Sequence, residues 1–473
     1  MSHINHHGTG VQVIGNTTLR SDEFTLSTPE RIGFGAGSLA TATFATVPGL
    51  VLLYYLTDVL GIGSAIAGFV VFLPKLLDLI YNPIIGRLSD TTVTRLGPRR
   101  PWMIAGAIAF PVAFVSIFFS PFEGNAAAWW VIGALATTGL AFSAFVVPYS
   151  VLPAELGANS AERTSMIAWR MGFLGLAILL TGTLAPMLAE SNGGGRGGYR
   201  LMALVMGGVI LVGACAALYS ARRSTQAAAD LSTSGAGSLR EAIGAARRNQ
   251  PFRILLAVFM LLEIVMSVTL AGLPYVAAHL IGNEGAVPAF FSCVVGPMLV
   301  TMPIWRRAAA AAGKKTCLLV ASSLYGLGVL GAIVLPITGE SARFATACTT
   351  FVLAGIGFAG VQLLPQAMLA DTLAVDASES DQRRAGLLTG LWSAGETVAA
   401  AFGAGLYGFV LAASNFISSE NDESVVQPRS AEWGIVLGFS GISILSIIIA
   451  IAFLSRYPLT ERRVDVAAVA AKL

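Results

Sequence analysis

Charged side chains are scarce in this sequence. Asp, Glu, Lys and Arg make up only 12% of its 473 residues, about half of the roughly 25% that is typical of soluble domains. The 29 basic residues nearly balance the 26 acidic ones, so the chain lacks the excess positive charge that binds a polyanion. These shortages exclude an ordinary soluble enzyme, a disordered chain and a protein that binds nucleic acid.

Histidine and cysteine are also rare. Three of the four histidines, His3, His6 and His7, lie at the polar start of the chain, where a solvated tail is expected. The four cysteines lie within apolar runs without metal-ligand spacing, which is typical of core residues. No HExxH, GxSxG or phosphate-binding loop occurs. The sequence therefore predicts no metal site, no cofactor and no enzyme.

Long apolar runs dominate the rest of the chain. Hydrophobic residues make up 55% of it, and the mean hydropathy is +0.74. A helix that crosses the hydrocarbon core of a bilayer needs about 20 apolar residues, and twelve such runs occur. They cover residues 34–57, 61–86, 101–122, 127–153, 164–189, 199–220, 252–281, 285–305, 315–337, 343–371, 384–413 and 432–455. These runs predict an all-α polytopic membrane protein with twelve transmembrane helices.

Lysine and arginine are distributed unequally between the two sides of the predicted spans. On alternating spans, 24 of the 29 fall on the side of both termini. Arg196, Arg200, Arg343 and Arg429 fall on the other side, and Lys75 lies within a span. Because basic residues favour the cytoplasmic side of a membrane, both termini are predicted to be cytoplasmic.

The longest internal polar stretch divides the twelve runs into six and six. The predicted parts are a cytoplasmic tail (1–30), a six-helix bundle (31–222), a cytoplasmic linker (223–250), a second six-helix bundle (251–457) and a C-terminal tail (458–473). Two six-helix bundles are the layout of the major facilitator fold, whose substrate site lies between the bundles near the middle of the membrane.

A specific motif begins late in the second run. Residues 78–102 read DLIYNPIIGRLSDTTVTRLGPRRPW, and four shorter segments match in the same order: YYLTD (54–58), VPYSVLPAE (147–155), MLAD (368–371) and YPLTE (457–461). On these residues the chain resembles the glycoside–pentoside–hexuronide:cation symporters, the branch of the major facilitators that includes melibiose carriers. The resemblance implies a monomeric secondary active transporter of the bacterial inner membrane, which moves a small solute by alternating access.

Candidate coupling residues are the few ionisable groups inside the spans. Lys75 and Asp78 share a helix face and can pair. The resemblance implies that Asp78 helps bind the coupling cation, whereas Asn82 stands where sodium-coupled members carry a second aspartate. We therefore expect a proton rather than sodium, since a proton needs only one carboxyl group. Alternatively, the Lys75–Asp78 pair only neutralises itself and holds its helix in register.

Two further acids are rival proton sites, Glu263 and Glu396. Alternatively, Glu396 contacts the substrate or pairs with Arg170. The alternative for Glu263 is a hydrogen bond to a neighbouring helix. His279 lies near the end of its span and is predicted to be an interfacial polar residue.

Charged residues beside the motif loops predict a cytoplasmic gate. Their ion pairs would form in one conformation of the transporter and break in the other. The alternative is a set of static surface ion pairs of little energetic value. The gate residues are Asp90, Arg99 and Arg100 in the first half and Asp371, Arg383 and Arg384 in the second.

The candidate substrate residues combine aromatic platforms with polar groups, because a sugar has an apolar face and many hydroxyls. They are Thr46, Tyr55, Tyr149, Arg170, Gln362, Gln366 and Trp392. Only Arg170 matches a sugar-site charge of the family, whose helix-one acid falls near Ala42. The second hypothesis is therefore a lysophospholipid or other amphiphile, with Arg170 and Glu396 binding a zwitterionic head.

Overall fold

The computed structural model describes residues 27–156, 160–191, 195–223, 239–379, 385–418 and 426–459. Twelve helices in these ranges are long and apolar enough to cross a membrane, which confirms the predicted number of spans. The helices are α1 (Thr28–Val47), α2 (Ser64–Thr91), α3 (Arg100–Ile117), α4 (Gly124–Leu156), α5 (Ser160–Glu190), α6 (Gly195–Ser220), α7 (Leu239–Arg248), α8 (Gln250–Tyr275), α9 (Val287–Ala312), α10 (Lys314–Leu330), α11 (Glu340–Glu379), α12 (Ala385–Ala413), α13 (Arg429–Val436) and α14 (Ile442–Ser455).

Hydrocarbon offers the backbone no hydrogen-bond partner, so apolar runs of this length are stable only when every backbone group is satisfied within a helix. The short helix α7 lies in the predicted linker, and α13 and α14 form the last span together through a π-helical turn at Leu437–Gly441. A second π-helical turn, Pro48–Leu52, extends α1. Pro48 cannot donate a backbone hydrogen bond, and the widened turn exposes its residues to the middle of the molecule.

The helices pack as two groups, α1 to α6 and α8 to α14. In the first group α1 packs against α5 and α6, and in the second α8 packs against α12 and α14. Small residues allow this close approach. A methyl group added at Gly33 would lie 2.7 Å from the carbonyl oxygen of Ala216, and one added at Gly106 would lie 2.7 Å from the backbone nitrogen of Phe145.

We call the end of the molecule that carries the loop between α2 and α3 the basic end, and the other end the far end. The two groups of helices contact each other towards the far end. There α2 crosses α12, where a methyl group on Gly68 would lie 2.7 Å from the carbonyl oxygen of Gly405. Nearby, α5 meets α9, and the hydroxyl oxygens of Thr183 and Ser292 are 3.3 Å apart. The molecule is therefore closed between its halves at the far end.

Candidate functional site: a central cavity

A cavity of about 360 Å³ lies between the two groups of helices at the middle of the spans. Most of the residues that line the cavity are apolar, and they belong to α1, its π-helical turn, α2, α4, α8 and α12. Four ionisable groups line the cavity: Lys75, Asp78, Glu263 and Glu396. The structure thus brings together four of the five predicted coupling residues.

Lys75 and Asp78 form one wall of the cavity, on α2. The positive charge of Lys75 acts on Asp78, but in the part of the chain that the structure describes, Oδ1 of Asp78 is buried without a hydrogen-bond partner. The carboxyl group lies against α4, since a methyl group added to Gly139 would lie 2.7 Å from Oδ1. Asn82, one turn further along α2, is exposed and lies outside the cavity lining.

Glu263 and Glu396 form the opposite wall, on α8 and α12. The hydroxyl group of Ser267 on α8 donates a hydrogen bond of 2.5 Å to the carbonyl oxygen of Ala400 on α12. Glu263 and Glu396 lie one turn before these two residues. Both acids line the cavity on this side.

The seven predicted substrate residues all lie within the described chain but outside the cavity lining. Tyr149 is fully buried, and its hydroxyl group donates to the carbonyl oxygen of Phe34 at 2.6 Å. The guanidinium carbon of Arg170 lies 5.1 Å from the centre of the Tyr149 ring. Tyr55 donates to the carbonyl oxygen of Phe118. In this conformation these contacts are packing within the first group of helices.

The other four predicted substrate residues differ in their distance from the cavity. Gln362 lies directly behind the wall, because its side-chain nitrogen contacts the sulfur of the lining residue Met266 at 3.1 Å. Trp392 is 2% exposed and stacks on Phe259, with ring centres 4.1 Å apart. Thr46 is buried, and Gln366 is exposed.

At the basic end, two of the predicted gate residues have partners among the described residues. Arg99 donates from Nη1 to the hydroxyl oxygen of Ser89 at 3.0 Å. Asp371 pairs with Lys314 at 2.5 Å, within the second group of helices. The expected partners of Asp371, Arg383 and Arg384, lie outside the described residues, as does the side chain of Asp90, and Arg100 is half-buried.

The last motif, YPLTE, begins at Tyr457 and anchors the same end. Its hydroxyl group lies 2.9 Å from that of Thr372 on α11, and its carbonyl oxygen accepts a hydrogen bond from Lys315. Burial raises the pKa of Tyr457 to about 12, so its hydroxyl group keeps its proton and the bond to Thr372 at neutral pH.

At the far end, a polar cluster joins the π-helical segment Tyr55–Val59, which follows α1, to the end of α8 and the π-helical segment Val276–Ile281, which follows it. Oδ1 of Asp58 lies 3.1 Å from Nε2 of His279, and the hydroxyl oxygens of Thr57 and Tyr275 are 2.6 Å apart. Asp58 is 2% exposed. Sequence reasoning did not assign a role to Asp58, although it ends the YYLTD motif. His279 lies near the end of its span, as expected, but its contact with Asp58 in the other half was not predicted.

Comparisons with known proteins agree with this architecture. A family model described as MFS/sugar transport protein matches residues 33–461. An isoprimeverose transporter from Lactiplantibacillus pentosus is 23% identical over 89% of this chain and 88% of its own. The sodium-dependent lysophosphatidylcholine symporter 1 of Gallus gallus is 22% identical over 74% and 71%. The crystal structure of the nucleoside transporter NupG superposes with a TM-score of 0.63, at 12% identity over 91% and 99% of the two chains, and this similarity concerns the fold alone.

Proposed function

Because the chain belongs to the MFS/sugar transport protein family, and is therefore a secondary transporter, we propose that it is a proton-coupled symporter of a glycoside or related small solute. The halves would rock about the central cavity, so that the cavity opens alternately to the two sides of the membrane. The basic end would face the cytoplasm of a bacterium. We expect transport without a cofactor and without catalysis.

The observation that supports this proposal is the size of the cavity and the residues that line it. Its volume of about 360 Å³ fits a small solute. Phe44 and Phe142 lie on one side of it, with ring centres 4.7 Å apart, and they offer an apolar surface to a sugar ring. Asp78 lies in the same cavity, so one movement would change the exposure of both the solute and a carboxyl group.

The charge beside Asp78 favours a proton over sodium as the coupling ion. A bound sodium ion needs several oxygen ligands, whereas the nearest ionisable neighbour of Asp78 on α2 is the cationic Lys75. When Asp78 is ionised, Lys75 can balance its charge. When Asp78 takes up a proton, this attraction is lost, and the solute and the helices respond to the change.

The test is uptake into proteoliposomes with an imposed pH gradient or sodium gradient. For the wild type we expect glycoside accumulation under the pH gradient alone. We expect Asp78→Asn to abolish accumulation while exchange of solute across the membrane continues, because the cavity keeps its shape but lacks the carboxyl group.

The matched control is Glu123→Gln, which removes an exposed carboxylate that pairs with Arg196 away from the cavity. This variant should accumulate solute like the wild type. Unchanged accumulation in Asp78→Asn would remove Asp78 from the coupling role, and accumulation that requires a sodium gradient would overturn proton coupling.

A second candidate function is the transport of a lysophospholipid or another amphiphile. The apolar lining favours it, because Leu52, Leu135 and Leu270 are among the residues that face the cavity. Uptake of a labelled lysophospholipid without any glycoside uptake would select this function.

A further inference from the structure

The charges that line the cavity do not balance. The wall carries three carboxyl groups and one ammonium group. Lys75 and Asp78 lie one turn apart on the same wall, where Lys75 can balance the charge of Asp78. Glu263 and Glu396 lie on the other wall, and among the described residues the lining contains no second basic residue to balance them.

The two glutamates are held at one level by the register of α8 and α12. A methyl group on Gly395 would lie 3.0 Å from Leu256, whereas one on Gly403 would lie 2.7 Å from the carbonyl oxygen of Ile264. Rising numbers on α12 therefore meet rising numbers on α8, so the helices run parallel. Because the Ser267–Ala400 hydrogen bond joins the helices one turn later, Glu263 and Glu396 lie at matching positions of the two helices, and both line the cavity.

Neither glutamate has a hydrogen bond or an ion pair with the part of the chain that the structure describes. Glu263 is only 9% exposed, and what remains accessible faces the cavity. Glu396 is exposed, and it also lines the cavity. Arg170, which was one alternative partner for Glu396, lies over the ring of Tyr149. Two ionised carboxylates on one cavity wall repel each other, and a bound cation would remove this repulsion.

We propose that Glu263 and Glu396 form the subsite for a protonated amine, and that the transported solute is an amino-glycoside, a glycoside that carries a primary ammonium group. This inference rests on the proposed transport function and names its substrate class. A primary ammonium group has three N–H donors. The two carboxylates accept two of them, and the hydroxyl oxygen of Thr397, which also lines the cavity, is placed to accept the third.

A choline headgroup is the other source of such a cation. Its quaternary ammonium has no N–H group and is usually held by the faces of several aromatic rings. In the lining, phenylalanines occur at Phe44 and Phe142 on α1 and α4, opposite the two acids. The hydrogen-bond acceptors around Glu263 and Glu396 therefore favour a primary amine.

The test measures binding to the purified full-length protein, at a pH at which the probe amines are charged. The probes are three pairs of methyl glycosides, each as the neutral sugar and as its 2-amino-2-deoxy counterpart, together with lysophosphatidylcholine. We expect the amino member to bind about tenfold more tightly in at least one pair. Glu263→Gln and Glu396→Gln should each remove most of this preference, and leave binding of the neutral member nearly unchanged.

Two kinds of variant keep the result interpretable. Glu263→Asp and Glu396→Asp retain the charge, so each should restore part of the preference that the corresponding glutamine removes. Glu432→Gln removes a carboxyl group on α13, outside the cavity, and should keep the full preference.

Equal binding of the paired probes, tighter binding of the neutral members, or no binding of any amino-glycoside would overturn the subsite. Tight binding of lysophosphatidylcholine alone would also overturn it, in favour of a lipid headgroup. The proposed function fails separately: amino-glycosides would then bind through the glutamates, but a pH gradient would not drive their accumulation. Conversely, pH-driven accumulation of neutral glycosides without amine preference would retain the function and reject the subsite.

Discussion

At the residue scale, the position of the Asp78 carboxyl group depends on a glycine in the neighbouring helix. Gly139 on α4 has no side chain, and Oδ1 of Asp78 occupies the adjacent space. The same oxygen is buried without a hydrogen-bond partner among the described residues. A small shift of this carboxyl group would change its distance from Lys75 and from a solute in the cavity.

We expect Gly139→Ala to impair coupling, because the added methyl group would lie 2.7 Å from Oδ1 of Asp78. The displaced carboxyl group should lower pH-driven uptake about tenfold. Initial rates in proteoliposomes measure the effect.

Gly133→Ala is the matched control for this prediction. It lies on the same helix, and a methyl group added there meets no atom within 4 Å. The control should transport at the wild-type rate. If the two variants behave alike, close contact between Gly139 and Asp78 has no part in coupling.

At the scale of elements, closure of the far end depends on small residues where α2 crosses α12. Gly68 faces Gly405 and Gly408, and a methyl group on Gly408 would lie 2.8 Å from the Cα atom of Gly68. Backbones this close can pack in the membrane without a hydrophobic driving force. The crossing therefore stabilises the conformation in which the halves meet at the far end.

Gly68→Ala should destabilise this closed far end by about 1–3 kcal/mol, because the new methyl group would lie 2.7 Å from the carbonyl oxygen of Gly405. The measurement is the labelling rate of a cysteine placed at Ser418, whose hydroxyl group donates to the carbonyl oxygen of Ile62 across the same end. In a background without the native cysteines, labelling by an impermeant maleimide should become several-fold faster.

Gly63→Ala serves as the control for the crossing. Gly63 precedes α2, and a methyl group there meets no atom within 4 Å. Labelling at the wild-type rate in both variants would show that the crossing does not hold the far end closed.

At the scale of the whole molecule, transport requires the far-end contacts between the halves to break. Asp58 and His279 join the π-helical segments that follow α1 and α8, and Thr183 and Ser292 join α5 to α9. At the basic end, Lys314 pairs with Asp371 inside one half. This arrangement is the one expected of a carrier that is closed at its far end, and the opposite conformation needs a new set of contacts.

A disulfide between cysteines at positions 183 and 292 should therefore stop transport. The two hydroxyl oxygens are 3.3 Å apart, close enough for the cysteine replacements to approach disulfide geometry. In a chain without the four native cysteines, we expect an oxidant to abolish nearly all uptake, and a reductant to restore it.

The single variants Thr183→Cys and Ser292→Cys control for effects of the substitutions themselves, and the oxidant should leave their uptake unchanged. Full transport by the cross-linked double variant would contradict alternating access across this contact.

Some residues of the candidate site could be predicted from local pattern, and others could not. An ionisable residue inside an apolar run is conspicuous, so Lys75, Asp78, Glu263 and Glu396 were predicted and share one cavity. Tyr149 was chosen because its residue type suits a sugar, and Arg170 because it matches a sugar-site charge of the family, but such side chains suit helix packing equally well. The Asp58–His279 contact joins residues more than 200 positions apart, and neither side chain alone indicates its partner.

The sequence by itself determined the class of protein, the twelve spans and the family, because span length and hydropathy are local properties that the bilayer imposes on each helix in turn. The tertiary structure alone decided which side chains face the cavity. That choice depends on the rotation and register of each helix, and these depend on contacts such as Gly139 with Asp78 and Ser267 with Ala400. These contacts join different helices, so no single segment of the sequence contains them.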